Sequence, residues 1–299
     1  MIVMKFGGAS LSDATNIANT CEIVRTYQRN DKVILIVSAM QGVTDQLFEI
    51  AELLKKRKVE EALSILQKIK DLHFETLESV SQSRLTVKTK IELYRLFYQL
   101  EYFIKNIAQK EITLARTDYI VSWGERASAR IVNEALEEAG MPAYALDAST
   151  FLATNDDFGN AVPVYSTSQK YIQQILLPLI ENDIIPVITG YIGFTHDGCT
   201  TTLGRGGSDL SAAFVANYLD AKGLYLWKDV AGFYEQDPHK YPKAKKFTTL
   251  SYIQAEKLCR GGAKVIYHKA IEPVRKKKIP IYVKSFIDPS QIGSVVKEK

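Results

Sequence analysis

Thr200-Thr201-Thr202-Leu203-Gly204-Arg205-Gly206-Gly207-Ser208-Asp209 leads into the apolar run Leu210 to Leu219, and a strand-like segment, Gly223 to Lys228, follows. The threonines suit a strand, the glycines suit a turn with bare backbone amides, and the apolar run has the length of a helix. The arginine among the glycines is the odd residue. It exposes a guanidinium fork beside free amides at a helix N-terminus, a combination suited to a carboxylate or a phosphate. A flexible loop with Ser208 or Asp209 as N-cap is compatible with the same residues but leaves Arg205 unexplained.

Outward from this stretch the same alternation recurs. Short apolar, β-branched runs at Ile2–Phe6, Lys32–Ser38, Ala143–Asp147, Ile185–Thr189, Gly223–Lys228 and Pro280–Val283 read as strands buried on both faces. Helical stretches separate them, so the chain is read as α/β: a three-layer sandwich with a mainly parallel central sheet. Between Asp45 and Gly140 strand signals fade, which predicts a helical insertion around 45–140. Within it Leu93, Leu96, Phe97, Leu100, Phe103, Ile104 and Ile107 recur every three or four residues, the pattern of one helix face packed on a core, with a dimer surface as the alternative. Asp197-Gly198, flanked by Phe194-Thr195 and Thr200–Thr202, predicts a β-hairpin within Tyr191–Leu203.

Bulk properties limit the function classes. Apolar residues make up 46% and charged residues 24%, the balance of a globular protein with a substantial core. The net charge of +4 is mild, and the basic runs Lys243–Lys246 and Arg275–Lys278 lack interleaved aromatic residues, so nucleic acid is not the expected partner. No run is long enough to span a bilayer and no secretory signal is visible. The three scattered cysteines, Cys21, Cys199 and Cys259, fit a reduced cytoplasm and neither a disulfide framework nor a thiolate metal site.

Two further glycine segments carry lysines. Lys5-Phe6-Gly7-Gly8-Ala9-Ser10 ends a strand, so an ammonium and backbone amides can meet one anion. Gly261-Gly262-Ala263-Lys264-Val265 reads as a glycine pair entering a helix, with a cation where the helix dipole alone would disfavour one. Lysine beside a glycine turn twice in one α/β chain is best explained by a polyphosphate. There is no G-x-x-x-x-G-K-[ST] loop, no G-x-G-x-x-G after the first strand and no H-E-x-x-H. Asp157-Phe158-Gly159 spells the metal triplet of protein kinases without its companion motifs and is read as coincidence.

Taken in order, Lys5–Gly8, Ser38–Thr44, Trp123–Arg126, Thr154–Asp156, Thr200–Asp209, Trp227–Pro238 and Gly262–Val265 resemble the aspartate kinases, within the amino acid kinase (carbamate kinase-like) fold. The resemblance covers essentially the whole chain. It implies transfer of the γ-phosphoryl of ATP to the β-carboxylate of L-aspartate, with Mg²⁺ carried mainly by the ATP phosphates and no direct protein ligand. Lys5, Asp209 and Lys264 match the catalytic set, Asp209 as the carboxylate that holds the lysines in place. Gly7, Gly8, Ser10, Gly206, Gly207, Lys228, Asp229, Tyr234 and Lys264 match the phosphate and nucleotide side. Ser38, Thr44, Glu125, Arg205 and Ser208 match the aspartate pocket, Arg205 clamping the α-carboxylate and Glu125 meeting the ammonium. Read without the resemblance, Glu125 would be a helix-surface glutamate paired with Arg126 or Arg130.

The resemblance further implies an acceptor-binding part at roughly 1–200, a nucleotide-binding part at roughly 201–299, and a homodimer. Three positions depart from it: Ala9 replaces a common threonine, Lys269 a common proline, and His239 a common arginine, the last expected to raise the KM for ATP. The residues after Lys284 are too few for the ACT-type regulatory domains common in the family, so feedback inhibition by end products is not expected of the chain alone. A glutamate 5-kinase-like activity and a non-catalytic regulatory partner are the competing readings. The linked motifs weigh against the first, and joint retention of Lys5, Glu125, Arg205, Asp209 and Lys264 weighs against the second.

Overall fold

The computed structural model describes residues 1–81, 85–236, 238, 240, 241, 243–263 and 265–298. Three runs, Ile-Val-Met-Lys-Phe, Val-Ile-Leu-Ile-Val and Ile-Pro-Val-Ile-Thr, form β1 (Ile2–Phe6), β2 (Val33–Val37) and β4 (Ile185–Thr189), and every residue in them is buried. With β3 (Ala143–Leu146), β7 (Leu224–Lys228), β10 (Thr249–Leu250), β11 (Ile281–Ser285) and β12 (Ser294–Val296) they build, among the described residues, an eight-stranded sheet in the order β10-β12-β11-β7-β1-β2-β4-β3. All neighbours pair parallel except β11 and β12, as the sequence pattern predicts.

All six predicted strands form. The two-residue β10 and three-residue β12 escape sequence reading because they are too short to show a period, and they complete one edge of the sheet. The predicted hairpin forms as β5 (Ile192–Phe194) paired antiparallel with β6 (Thr200–Thr202). Its turn takes up positive φ at Gly198. A second small pair joins β8 (Phe233–Tyr234) to β9 (Lys246–Phe247).

Helices cover both faces. On one, α8 (Gly207–Tyr218) packs against β1, β2 and β7 beside α7 (Tyr165–Glu181) and α10 (Ile271–Lys276); on the other lie α1 (Ala14–Gln28) and α6 (Trp123–Glu138). The helical insertion comprises α2 (Val43–Lys55), α3 (Val59–Val80), α4 (Leu85–Ile107) and α5 (Leu114–Val121), stacked outside α6. In α4 the predicted stripe does face the core: Leu93, Leu100 and Ile104 are fully buried, and Phe97 packs edge-on against His73 of α3. One expectation fails. Gly261 and Gly262 do not enter a helix but end α9 (Tyr252–Arg260), with Gly262 at φ 108°, and the next helical turn begins at His268. A glycine that adopts left-handed φ serves equally to stop a helix, and sequence alone did not separate the two uses.

Candidate active site

Lys5 is the penultimate residue of β1, Ser38 follows β2 and Lys228 closes β7; β1 lies between the other two and runs parallel to both. The three residues therefore emerge side by side at the carboxyl edge of the sheet, where ligands of open α/β sheets bind. The helix α8 reaches the same edge. Its N-cap is Gly206 at φ 74°, and a Cβ there would lie 2.6 Å from the Tyr267 ring, so glycine is required by both backbone and space. Ser208 and Asp209 thus sit within the first turn, not at the cap as the loop alternative expects.

Asp209 gathers the cations. Its Oδ1 is 3.0 Å from Lys5 Nζ, and Lys228 Nζ donates to both carboxylate oxygens at 3.1 and 2.9 Å. The Tyr267 amide donates to Oδ2 at 3.3 Å. Asp209 is buried, and burial alone would raise its pKa; Lys228 and Lys5 outweigh it and hold the carboxyl far below the usual range. Burial lowers Lys5, with Asp209 opposing and Lys228 reinforcing the shift. Two ammonium groups on one carboxylate leave a positive excess at the strand ends, which favours an anion there.

A second set of contacts leads from this cluster to Glu125. The Ser38 hydroxyl donates to Ser208 Oγ at 2.9 Å, and the next amide, Ala39 N–H, donates to Glu125 Oε1 at 3.2 Å. Glu125 lies in the first turn of α6 and is only 2% exposed, so it is not a helix-surface glutamate. Arg126 is engaged elsewhere, with Asp147, Ser122, Ser149 and Thr200, and Arg130 pairs with Glu92. Glu125 Oε2 is buried with no hydrogen-bond partner among the described residues, and burial pushes the carboxyl up to about 8.

The other expected residues distribute as follows. Arg205 is exposed and makes no hydrogen bond or ion pair among the described residues, leaving its guanidinium fork open. Thr44 is half-buried in the first turn of α2. Gly7 is extended and leads into a 3₁₀ turn at Gly8–Leu11. Ser10 is fully buried and donates its hydroxyl hydrogen to the Gly7 carbonyl at 2.7 Å, so its hydroxyl shapes the glycine turn. Asp229 is exposed just past β7, and Tyr234 is half-buried in β8. Lys264 and His239 lie outside the described residues. Among the described residues no group of three or more His, Cys, Asp or Glu side chains could hold a metal ion, and no helix is long and apolar enough to cross a membrane.

Sequence reasoning missed two supports. Arg126 joins α6 to the residues after β3 and to β6, with Asp147 held below its normal pKa because Arg126 and Ser149 overcome its burial. Asp118 of α5 accepts hydrogen bonds from Gly159 and Thr202. The available signal for Asp118 was a carboxylate one turn before the apolar Val121; nothing in the chain flagged its partners, which are far away in sequence.

The sequence profile described as the amino acid kinase family matches residues 1–285. The chain is 33% identical to chloroplastic aspartokinase 1 of Arabidopsis thaliana over 98% of its own length and 51% of that protein's. It is 32% identical to the lysine-sensitive aspartokinase 3 of Escherichia coli K12, covering all of this chain and 64% of that one. The solved structure of E. coli aspartokinase III in complex with aspartate and ADP superposes with a TM-score of 0.91 at 32% identity, over 100% of this chain and 65% of that one. This chain therefore spans between about half and two-thirds of these relatives. A profile match over nearly the whole chain, with the predicted sheet and Lys5, Ser38, Lys228 and Asp209 brought together at its carboxyl edge, leads to one conclusion: the chain belongs to the amino acid kinase family.

Proposed function

We propose that this chain transfers the γ-phosphoryl of ATP to the β-carboxylate of L-aspartate, giving 4-phospho-L-aspartate. The observation that carries the proposal is the continuous chain of contacts from Glu125 through Ala39, Ser38 and Ser208 to Asp209, Lys5 and Lys228. It joins a lone buried carboxyl, suited to an ammonium, to a cation cluster, suited to phosphate. The similarity to a solved aspartokinase carrying aspartate and ADP supports the same reading.

The acceptor carboxylate is already ionised at neutral pH, since such groups titrate near 4. No base is needed to activate it. The barrier is the approach of one anion to another, and fixed positive charge with correct placement lowers it. Lys5 supplies charge at the transferring phosphoryl, and Asp209 fixes Lys5 and Lys228 in position. Arg205 takes the α-carboxylate with its fork, Glu125 the ammonium, and the hydroxyls of Ser38, Ser208 and Thr44 line the pocket between. Lys264 is assigned a second cation at the phosphates. Asp229 and Tyr234 are assigned to the ribose and base, which gives residues after about 200 the larger share of the nucleotide. Mg²⁺ neutralises charge on the ATP phosphates when bound. The carboxylate of Asp209 is already committed to three donors, which fits an ion held by the nucleotide and not by the protein.

A homodimer is the assembly we propose. The exposed row Val87, Ile91, Tyr94, Tyr98 and Tyr102 on α4 supports it, and sedimentation velocity of the Tyr98→Glu variant against the parent tests it. For the activity, ADP release is measured with aspartate, glutamate and other small carboxylates as acceptors. Release with aspartate alone is expected. Preference for glutamate, or no release with any acceptor, refutes the proposal.

A further inference from the structure

Asp118 belongs to α5 and lies outside the contacts used so far. It is 2% exposed, yet its carboxylate is fully engaged. Oδ2 accepts from the amides of Gly159 and Thr202, both at 2.8 Å, and Oδ1 accepts from the Thr202 hydroxyl at 2.8 Å. Burial nevertheless raises its pKa against these donors. A buried carboxylate is a costly way to satisfy two amides, so what those two segments do together is informative.

They meet again immediately before Arg205. A Cβ on Gly204, which has φ 72°, would lie 2.9 Å from the Gly159 carbonyl oxygen and 3.2 Å from Asn160 Oδ1. The turn that presents Arg205 is therefore seated directly on residues 159 and 160. The Ala161 amide closes the same seam by donating to the Thr202 carbonyl at 2.9 Å. Each threonine of β6 is pinned: Thr200 by Arg126 at 3.1 Å, Thr201 by the Thr154 hydroxyl at 2.7 Å and Thr202 by Asp118. Only the pin at Thr202 also holds the loop beneath Gly204.

We propose that Asp118 is the positioning residue for Arg205: by binding Thr202 and Gly159 with one carboxylate, it sets where the guanidinium meets the acceptor. The proposal rests on the reading of Arg205 as the acceptor clamp. Asparagine can reproduce the arrangement, its oxygen accepting both amides while its NH₂ donates to the Thr202 hydroxyl. Alanine cannot.

The test compares Asp118→Ala and Asp118→Asn in the full chain by steady-state kinetics. Misplacing a binding group by about 1 Å can cost on the order of 10²-fold. Asp118→Ala is expected to raise the KM for aspartate roughly 10- to 100-fold while the KM for ATP and kcat at saturating aspartate hold, and Asp118→Asn to behave nearly as the parent. An unchanged aspartate KM in Asp118→Ala overturns the proposal. So do equal losses for both substrates, which mean general loosening, and an Asn variant as poor as Ala, which means charge and not geometry. Should Asp118→Ala fail to fold, Thr202→Val removes one of the three donors and is expected to raise the aspartate KM alone by a smaller factor; no rise overturns the proposal. A parent chain inert toward aspartate defeats the functional reading and leaves this one open to hydrogen exchange. Faster exchange at residues 203–207 in Asp118→Ala but not in Asp118→Asn then supports it, and unchanged exchange refutes it.

Discussion

Asp209 and Glu125 are two buried carboxylates in one site with opposite electrostatic situations. Asp209 has two ammonium groups and an amide around it and stays ionised far below its normal pKa. Glu125 has one backbone amide, an unpartnered Oε2 and a pKa raised to about 8. Burial penalises both, so the difference lies in the partners. The lesson is a division of labour. On the proposed phosphate side the charges are assembled in advance, as suits transition-state charge, which is best met by groups that need not reorganise. On the proposed acceptor side burial keeps Glu125 mostly neutral at pH 7, and the proposed ligand brings the cation that would ionise it.

The largest effect should come from breaking the preassembled side. Lys5→Ala removes one oriented cation, which typically lowers turnover on the order of 10²–10³-fold, with little change in the KM for aspartate. Near-normal turnover would show that the cluster is structural only. Breaking the other side should act on binding: Glu125→Gln is expected to raise the aspartate KM roughly 10- to 100-fold, the worth of one hydrogen bond to a charged group, and to leave the KM for ATP unmoved. Arg205→Lys, which keeps charge and loses the planar fork, should do the same. Parallel damage to both substrates would place the altered residue on the nucleotide side.

A finer effect follows from the protonation of Glu125. Below about pH 8 its carboxyl is mostly neutral, so binding an ammonium there must release a proton. The aspartate KM is expected to fall as pH rises from 6 to 8, by up to about tenfold per unit, and to be flat in Glu125→Gln. Calorimetry in buffers of different ionisation enthalpy should register the released proton. A KM that stays flat over this range in the parent would mean the carboxyl is already ionised in the free protein.

The two halves of this comparison were not equally legible in the sequence. Lys5 stands alone among apolar residues in a strand buried on both faces, so a partner was required, and the glycine turns showed where an anion would fit. The six longer strands were legible because burial on both faces leaves a continuous apolar run. Glu125 was legible by resemblance, but its burial was not: helix α6 mixes Glu125, Arg126 and Arg130 with alanines, and only the fold shows that its whole first turn is covered. Asp118 and Asp147 escaped for a common reason. Asp118 binds Gly159 and Thr202, and Asp147 binds the Arg126 guanidinium; tertiary structure brings these partners close, and local periodicity carries no trace of such contacts. The glycine pair at Gly261 and Gly262 misled, since stopping a helix and starting one call for the same residue.

The smallest predicted effect is on stability, and there the two carboxylates should act with opposite signs. Glu125 titrates near 4.5 in a model peptide and about 8 in the fold. Between those values the unfolded chain is ionised while the folded chain keeps its proton. The stability contributed by the neutral Glu125 is therefore full below about pH 4.5 and lost as pH rises toward 8. Asp209 starts from 3.8 and is lowered, so its contribution is full above that value and lost only as pH falls below it. Glu125→Gln, permanently neutral, should match the parent near pH 4.5 and exceed it near pH 8, by a few kcal/mol at most, or roughly several degrees in Tm. Asp209→Asn should be less stable than the parent at both pH values, because it leaves Lys5 buried beside Lys228 without an anion between them. Thermal melts of the parent and both variants at pH 5 and pH 8 decide the matter. If Glu125→Gln loses stability on going to pH 8 as the parent does, Glu125 is not the group responsible, and the contrast between the two carboxylates fails at its weaker half.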